Sequence, residues 1–458
     1  MVLGRQVAQE SLLPSVLEDE FGEAENIKEP VGGIGSRPPS RPRKAYSRGS
    51  IDYQTVTRSD VSSEGWSSRD WRDPVDQEEV QGRGEVETEG GRQEEGRRSA
   101  AANEDYDTDL EPEGPDIRQV HDLSAQARYI EACKVFKVIP SSHVLRNLHN
   151  TELILTHHGL GTQGTKALAV PLVTNTTILK LNLKDNWLEG LGGVAVAEML
   201  KENCYITDID LSENRLGESG AKALSSMLLE NTTLLTLRLS GNKLTDKAAK
   251  HLALAVSRNQ KLESLDLGYN KLGETAGEVL GDAIAENAGM KSLNLAWNCI
   301  RGRGAVALAK GLRANIFLQK LDLSYNGLEK DGAIAVGEAL RDNNTLEELD
   351  ISNNRIPPEG AIRLAMGLKV NKTIRVVQMS RNPMQSVGCY GVLQSIQSNQ
   401  DSAVEYLDLS DIPVDKDFYD LCAKVKDTLP NIQVKHGRII DFSTRKPDST
   451  KDGCSNDG

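Results

Sequence analysis

The sequence predicts an α/β solenoid in which short parallel strands lie side by side on the concave face of a horseshoe and helices line the convex face. Three observations predict it. A template, LxxLxLxxNxL, returns every 28 residues. Within each copy apolar and polar residues alternate, the period of a strand with one buried face. After each copy comes a stretch whose apolar residues fall at i, i+3, i+4 and i+7, the stripe of an amphipathic helix.

The template is read directly from ILKLNLKDNWL (178–188), ITDIDLSENRL (206–216), LLTLRLSGNKL (234–244) and LESLDLGYNKL (262–272). Its asparagines stand at Asn186, Asn214, Asn242, Asn270, Asn298, Asn326, Asn354 and Asn382. A second series, Asn175, Asn203, Asn231, Asn259, Asn287, Asn315, Asn343, Asn371 and Asn399, closes each unit in the same phase. In the strand, Leu181 and Leu183 and their equivalents point to one side and the residues between them to the other. In the helix, Ala221, Leu224, Ser225 and Leu228, like Ala305, Leu308, Ala309 and Leu312, share one face, with small residues that let it lie close to the sheet. A strand and a helix in constant order require crossovers, hence parallel strands stacked around one continuous core.

Curvature follows from two spacings. Neighbouring strands sit about 4.8 Å apart, whereas packed helices need roughly 8–10 Å between axes, so the helical side fans outward. The template asparagines are expected to form a structural ladder, because the bend after a strand leaves backbone groups that a carboxamide can serve as both donor and acceptor. The terminal units depart from the template: TELILTHHGL (151–160) has His158 in the asparagine position, and VEYLDLSDIPV (404–414) has Ile412. About ten units therefore fill a repeat domain over residues 151–436. Before it, LSAQARYIEACKVFKVI (123–139) is apolar at helical spacing and stops at Pro140, which makes 117–150 a helical cap. Residues 1–116 mix Ser, Gly, Pro, Arg and Glu without periodicity and are read as a disordered acidic region; 437–458 are read as a disordered tail. SRPPSRPRK (36–44) within the first of these is basic and is read as a solvated linker or a docking segment.

LxxLxLxxNxL at this spacing, with a helical second half, resembles the leucine-rich repeats of the ribonuclease-inhibitor type over about residues 151–431. The acidic region, the YIEACKVFKVIPSS cap (129–142) and the repeat run together resemble the leucine-rich repeat-containing protein 74 group. The resemblance implies the horseshoe fold but supplies no biochemical function. Ribonuclease inhibitor is far richer in cysteine than this chain, which has six, so inhibition of secreted ribonucleases is not expected. Ran GTPase-activating proteins carry their acidic stretch after the repeats, whereas here it precedes them.

Composition narrows the function classes. The net charge is −13, yet residues 151–430 hold 30 Lys and Arg against 34 Asp and Glu, so most of the acidity precedes the repeats. No basic patch suited to tracking phosphates is visible, and nucleic acid is not an expected partner. The sequence contains no apolar run of membrane-spanning length and the start lacks the apolar block of a secretory signal, so a cytoplasmic protein without membrane insertion is expected. Cys133, Cys204, Cys299, Cys389, Cys422 and Cys454 are scattered, without the pairing of a zinc site or a disulfide framework. GLGTQG (159–164) satisfies GxGxxG, but its glycines are in phase with LGESGAKAL (216–224) and IRGRGAVAL (300–308), which makes them repeat punctuation. His157 and His158 have no further ligand at metal spacing. The sequons at Asn175, Asn231, Asn343 and Asn371 all use the unit-closing asparagine and reflect repeat phase. No catalytic residue, cofactor or metal is expected, and the chain is read as a non-enzyme.

The residues between the strand leucines form columns across the inner face. One reads His157, Asp185, Glu213, Gly241, Tyr269, Trp297, Tyr325, Asn353, Arg381, Asp411; three aromatics fall together in a chain with only 4% aromatic residues. A second reads Ile154, Asn182, Asp210, Arg238, Asp266, Asn294, Asp322, Asp350, Gln378, Asp408 and is mainly acidic. Trp297 is expected on an exposed strand position, flanked by Tyr269 and Tyr325 and beside Asp266, Asp322 and Asp350, with Asp210 and Arg238 completing the surface. Aromatics at an interface centre carry binding energy, and an acidic surround favours Lys or Arg on the partner. The expected function is that of an intracellular, monomeric scaffold or adaptor binding a protein or peptide with a basic, partly extended segment. Two other readings compete: a GTPase activator of the Ran-regulating kind that lends no chemistry of its own, and a cytoskeletal or ciliary structural component.

Overall fold

The computed structural model describes residues 117–440, with side chains from residue 125 onward. The expectations for residues 1–116, for residues 441–458 and for Cys454 lie outside the described residues.

Two helices, Ile117–Val135 and Ser142–Asn147, open the described chain. Strands and helices then alternate from Glu152–Ile154 to Gln433–His436, and all eleven strands form one sheet in sequence order, every neighbouring pair parallel. Most strands are only three residues long, and in Lys180–Asn182 or Ser264–Asp266 the central leucine alone is buried. The register advances by one repeat at each step, with Leu181 beside Ile209 and Leu237 beside Leu265. The second template leucine, such as Leu183 or Leu267, is buried just beyond the strand. Ala221, Leu224, Ser225 and Leu228 are buried on their helix, as are Ala305, Leu308, Ala309 and Leu312 on theirs. One apolar core runs from Tyr129 to Ile432.

The small helix residues face the next helix as well as the sheet. In Glu274–Glu286 and Gly302–Ala314 the backbones touch: a Cβ on Gly277 would stand 2.7 Å from the Gly304 Cα, and one on Gly304 would overlap the Glu274 carbonyl oxygen. Gly337 and Gly367 make the same kind of contact between Glu329–Asp342 and Pro358–Leu368.

Both asparagine series are buried and bonded across repeats. Asn214 donates from Nδ2 to the carbonyls of Leu183 (2.8 Å), Leu211 (3.0 Å) and Ser212 (3.0 Å), while its Oδ1 accepts from the amides of Asn186 (2.8 Å) and Leu188 (3.4 Å). In the closing series, Asn203 donates to the carbonyls of Leu172 (2.7 Å) and Asn175 (3.0 Å) and accepts from the amides of Tyr205 (2.8 Å) and Ile206 (2.9 Å). Each side chain thus ties its own turn to the preceding unit, and among the described residues no buried side-chain polar atom is left without a partner.

The ends differ from the sequence expectation in one respect. An eleventh strand, Gln433–His436, pairs with Tyr406–Leu409, where ten units and a tail from 437 were expected. Hydrogen bonding continues to Ile440, whose amide donates to the Val414 carbonyl (2.8 Å). This last strand lies at the sheet edge and buries none of its residues fully, so it carries no leucine template. At the other end Tyr129 is buried, its hydroxyl accepting from the Ser141 amide at 3.2 Å, and burial pushes its phenol up to about 12.

Candidate protein-binding surface

The column that ends at the template asparagine is not part of the strand. His157, Asp185, Glu213, Tyr269, Trp297, Tyr325, Asn353, Arg381 and Asp411 all have φ between 50° and 62°, and Gly241 has 71°. Trp297 therefore sits on a left-handed turn following the strand Ser292–Asn294, a correction to its expected strand position. The alternation of the strand ends at its third residue, beyond which the chain bends toward the buried asparagine. Non-glycine residues occupy this sparsely allowed region because neighbouring repeats hold it in place: the amides of Tyr269, Trp297 and Tyr325 donate to the carbonyls of Ala296, Ser324 and Ser352, each at 2.9 Å.

Their side chains project as a continuous row. The rings of Tyr269 and Trp297 stack with centroids 5.2 Å apart and planes 13° apart, and those of Trp297 and Tyr325 at 3.8 Å and 9°. Tyr269 is 60% exposed and Trp297 44%. Beyond the stack, Arg381 donates from Nη1 to the Tyr325 hydroxyl (2.5 Å) and from Nε to Asp411 (2.8 Å). Toward the other end, Lys184 pairs with Glu213 (3.0 Å), and His157 Nδ1 lies 2.7 Å from Asp185 Oδ2.

The second column has a structural duty that the sequence reading did not assign. Asp210, Asp266, Asp322, Asp350 and Asp408 each accept at Oδ1 from the backbone amide two residues on, at 2.8–2.9 Å, and Asn182 and Asn294 do the same. Aspartate and asparagine recur here because both supply that acceptor. Burial raises Asp266 above the usual carboxylate range, and Asp210 and Asp322 add to the rise; burial likewise raises Asp350, with Asp322 and Asp408 contributing. Arg238 stands within this row but turns to Asp208 (2.7 Å).

A hollow of about 230 Å³ lies over the strand face, lined by Asn294, Asp322, Asp350 and Gln378 among others. A larger one, about 650 Å³, lies elsewhere, bounded by Lys291, Ile316, Phe317, Thr345 and Arg375. Sequence reasoning missed the second. Its signal was Ile316-Phe317 directly after Asn315, where most other units have a polar pair such as Thr-Thr or Asn-Thr.

Among the described residues no cluster of three His, Cys, Asp or Glu could hold a metal ion, and no described helix is long and apolar enough to cross a membrane.

Seven stretches, 174–197, 202–225, 230–253, 258–281, 287–309, 314–337 and 342–365, match the Leucine Rich repeat family model, each uniting a strand with its helix. Over these stretches the chain is similar to leucine-rich repeats. Human leucine-rich repeat-containing protein 74B is 46% identical over 70 residues, 15% of this chain and only 17% of that protein's length. Among solved structures, an internalin from Listeria monocytogenes is 15% identical, with 70% of this chain and 91% of that one covered and a TM-score of 0.36. The leiomodin-1 actin-binding site 2 is 18% identical, covering 31% and 84%, with a TM-score of 0.28. The leucine-rich repeat fold stands on the sheet and the matched repeats, and leucine-rich repeat domains are in general non-catalytic protein-interaction scaffolds.

Proposed function

We propose that the leucine-rich repeat domain binds a protein partner through the row of turn side chains centred on Trp297 together with the strand-face aspartates, and that the bound element is a basic, partly extended segment. The observation that carries this reading is the stack of exposed Tyr269 and Trp297 on half-buried Tyr325, alongside carboxylates that repel one another. Three rings held parallel by the backbone lose little entropy on binding, and a stacked aromatic at an interface centre contributes about 2 kcal/mol or more on truncation. A Lys or Arg placed beside Asp266, Asp322 and Asp350 relieves their mutual repulsion, which gives both attraction and selectivity. The protein acts as a cytoplasmic scaffold or adaptor, in monomeric form and without catalysis of its own.

The test is affinity capture from native cell lysate with the unaltered chain and with Trp297→Ala/Tyr325→Ala. Partners that bind the unaltered chain in a salt-sensitive manner and are lost from the double variant support the surface. An unchanged set of partners overturns it.

A further inference from the structure

One residue beyond the template asparagines, along the rim of the sheet, we infer a basic strip that binds an acidic helix of a partner protein. The row reads Trp187, Arg215, Lys243 and Lys271, which directly follow Asn186, Asn214, Asn242 and Asn270, and all four are exposed. Trp187, Arg215 and Lys243 repeat one left-handed turn, with φ of 57°, 58° and 58°. Lys271 continues the row through its amide, which donates to the Leu244 carbonyl at 2.8 Å. Each step is tied by the ladder: the amides of Leu188, Leu216 and Leu244 donate to Oδ1 of Asn214, Asn242 and Asn270, at 3.4, 3.2 and 3.0 Å. Neighbours in the row are therefore held near the strand spacing of about 4.8 Å. The Cζ of Arg215 lies 5.8 Å from the centre of the Trp187 ring, so side chains of adjacent repeats meet along the row.

Three cations in such a row repel one another, and the chain does not neutralise them. Among the described residues, Arg215, Lys243 and Lys271 form no ion pair. The carboxylates nearest in sequence are engaged elsewhere. Glu213 pairs with Lys184 (3.0 Å), Glu218 reaches Lys247 (3.9 Å), Asp246 accepts from the Gly273 amide, and Glu274 pairs with Arg303 (3.1 Å).

These same carboxylates select the partner. Glu218, Asp246 and Glu274 stand in the first turns of the helices that follow the row, and Glu213 precedes it. A polyanion charged on every side, such as nucleic acid, meets them as well as the cations, whereas a helix with one carboxylate per turn meets the cations alone. The step also fits a helix. Its turn rises about 5.4 Å, while same-face residues of an extended segment are about 6.5–7 Å apart. Across the two steps from Arg215 to Lys271, the helix drifts from the row by about 1 Å and the extended segment by about 4 Å. The strip shares no residue with the surface centred on Trp297, so each stands or falls alone.

The test uses the full-length chain and a labelled, alanine-based helical peptide carrying glutamate at i, i+4 and i+7, with a control peptide in which the same glutamates are spread around the helix. Arg215→Gln/Lys243→Gln/Lys271→Gln removes the strip. Lys222→Gln/Lys247→Gln/Lys250→Gln removes equal charge from the helices Gly217–Glu230 and Asp246–Arg258. Unchanged circular dichroism spectra and melting midpoints verify folding, and Lys243→Gln alone gives an intermediate effect with less disturbance. Binding of the striped peptide about ten-fold tighter than the control, a preference lost in the strip variant and kept in the helix variant, supports the inference. No binding of the striped peptide, equal binding of both peptides, or full binding by the strip variant overturns it. So does a single-stranded oligonucleotide or a phosphatidylserine vesicle that binds more tightly than the striped peptide through the same three residues.

Discussion

The indole of Trp297 and the phenol ring of Tyr325 lie parallel with centroids 3.8 Å apart, although they belong to different repeats. Contact between side chains so distant in sequence is made by main-chain hydrogen bonds that put every turn of the array in the same place. Trp297 is only half covered, so its ring serves the surface more than the fold. Trp297→Ala is expected to lower stability by about 1 kcal/mol, the value of one aromatic pair beyond its area, while costing at least twice that in partner affinity. Urea unfolding followed by circular dichroism, set beside a binding titration, measures both; a stability loss equal to or above the binding loss contradicts the assignment.

Asn214→Ala removes a fully buried carboxamide that serves three carbonyls and two amides. Each stranded group costs about 1–3 kcal/mol, partly relieved where a backbone carbonyl retains another partner. A total of about 3–4 kcal/mol is expected, among the larger effects of a single substitution. Hydrogen exchange locates the damage: the amides of Asn186 and Leu188 lose protection first, while those of the distant strand Val376–Gln378 change little.

Two glycine-to-alanine changes should have opposite signs. In Gly304→Ala the added methyl meets the backbone of Glu274, which cannot move without shifting its helix. Overpacking of about 1–3 kcal/mol exceeds the helix-propensity gain of about 1 kcal/mol. In Gly391→Ala the methyl meets only Cγ1 of the exposed Ile362, at 3.2 Å, and the propensity gain prevails. Melting midpoints of the two variants therefore fall on either side of that of the unaltered chain.

Asp350→Asn keeps the acceptor for the Ser352 amide, as Asn294 does for Ala296, and removes a carboxylate whose charge is disfavoured. Burial and the nearby Asp322 and Asp408 raise this group above the ordinary 3.8. A raised carboxyl binds its proton more tightly in the folded state, so its penalty is complete above the folded value and vanishes below the unfolded one. The variant should be more stable than the unaltered chain at pH 7 and indistinguishable from it below pH 3.8. Urea midpoints across that range check the sign. The same change should weaken binding of a basic peptide at pH 7.

Much of this was legible in the sequence because a repeat states its rules many times over. The template leucines fixed the buried positions, and the columns brought Tyr269, Trp297 and Tyr325 together before any coordinates. Besides the larger hollow, three things escaped. The left-handed turn at Trp297 is enforced by amide-to-carbonyl bonds between repeats, which no single repeat encodes. The recurrence of aspartate on the strand face was read as charge alone, when each side chain also closes a local turn. The edge strand Gln433–His436 carries no template because none of its residues is fully buried.

The turn column has a consequence for how such a surface can diverge. Its ten positions share one backbone conformation yet hold histidine, aspartate, glutamate, glycine, tyrosine, tryptophan, asparagine and arginine. The scaffold places no demand on the identity of these residues, so a new partner preference can be written one repeat at a time, like changing single letters in a line of set type.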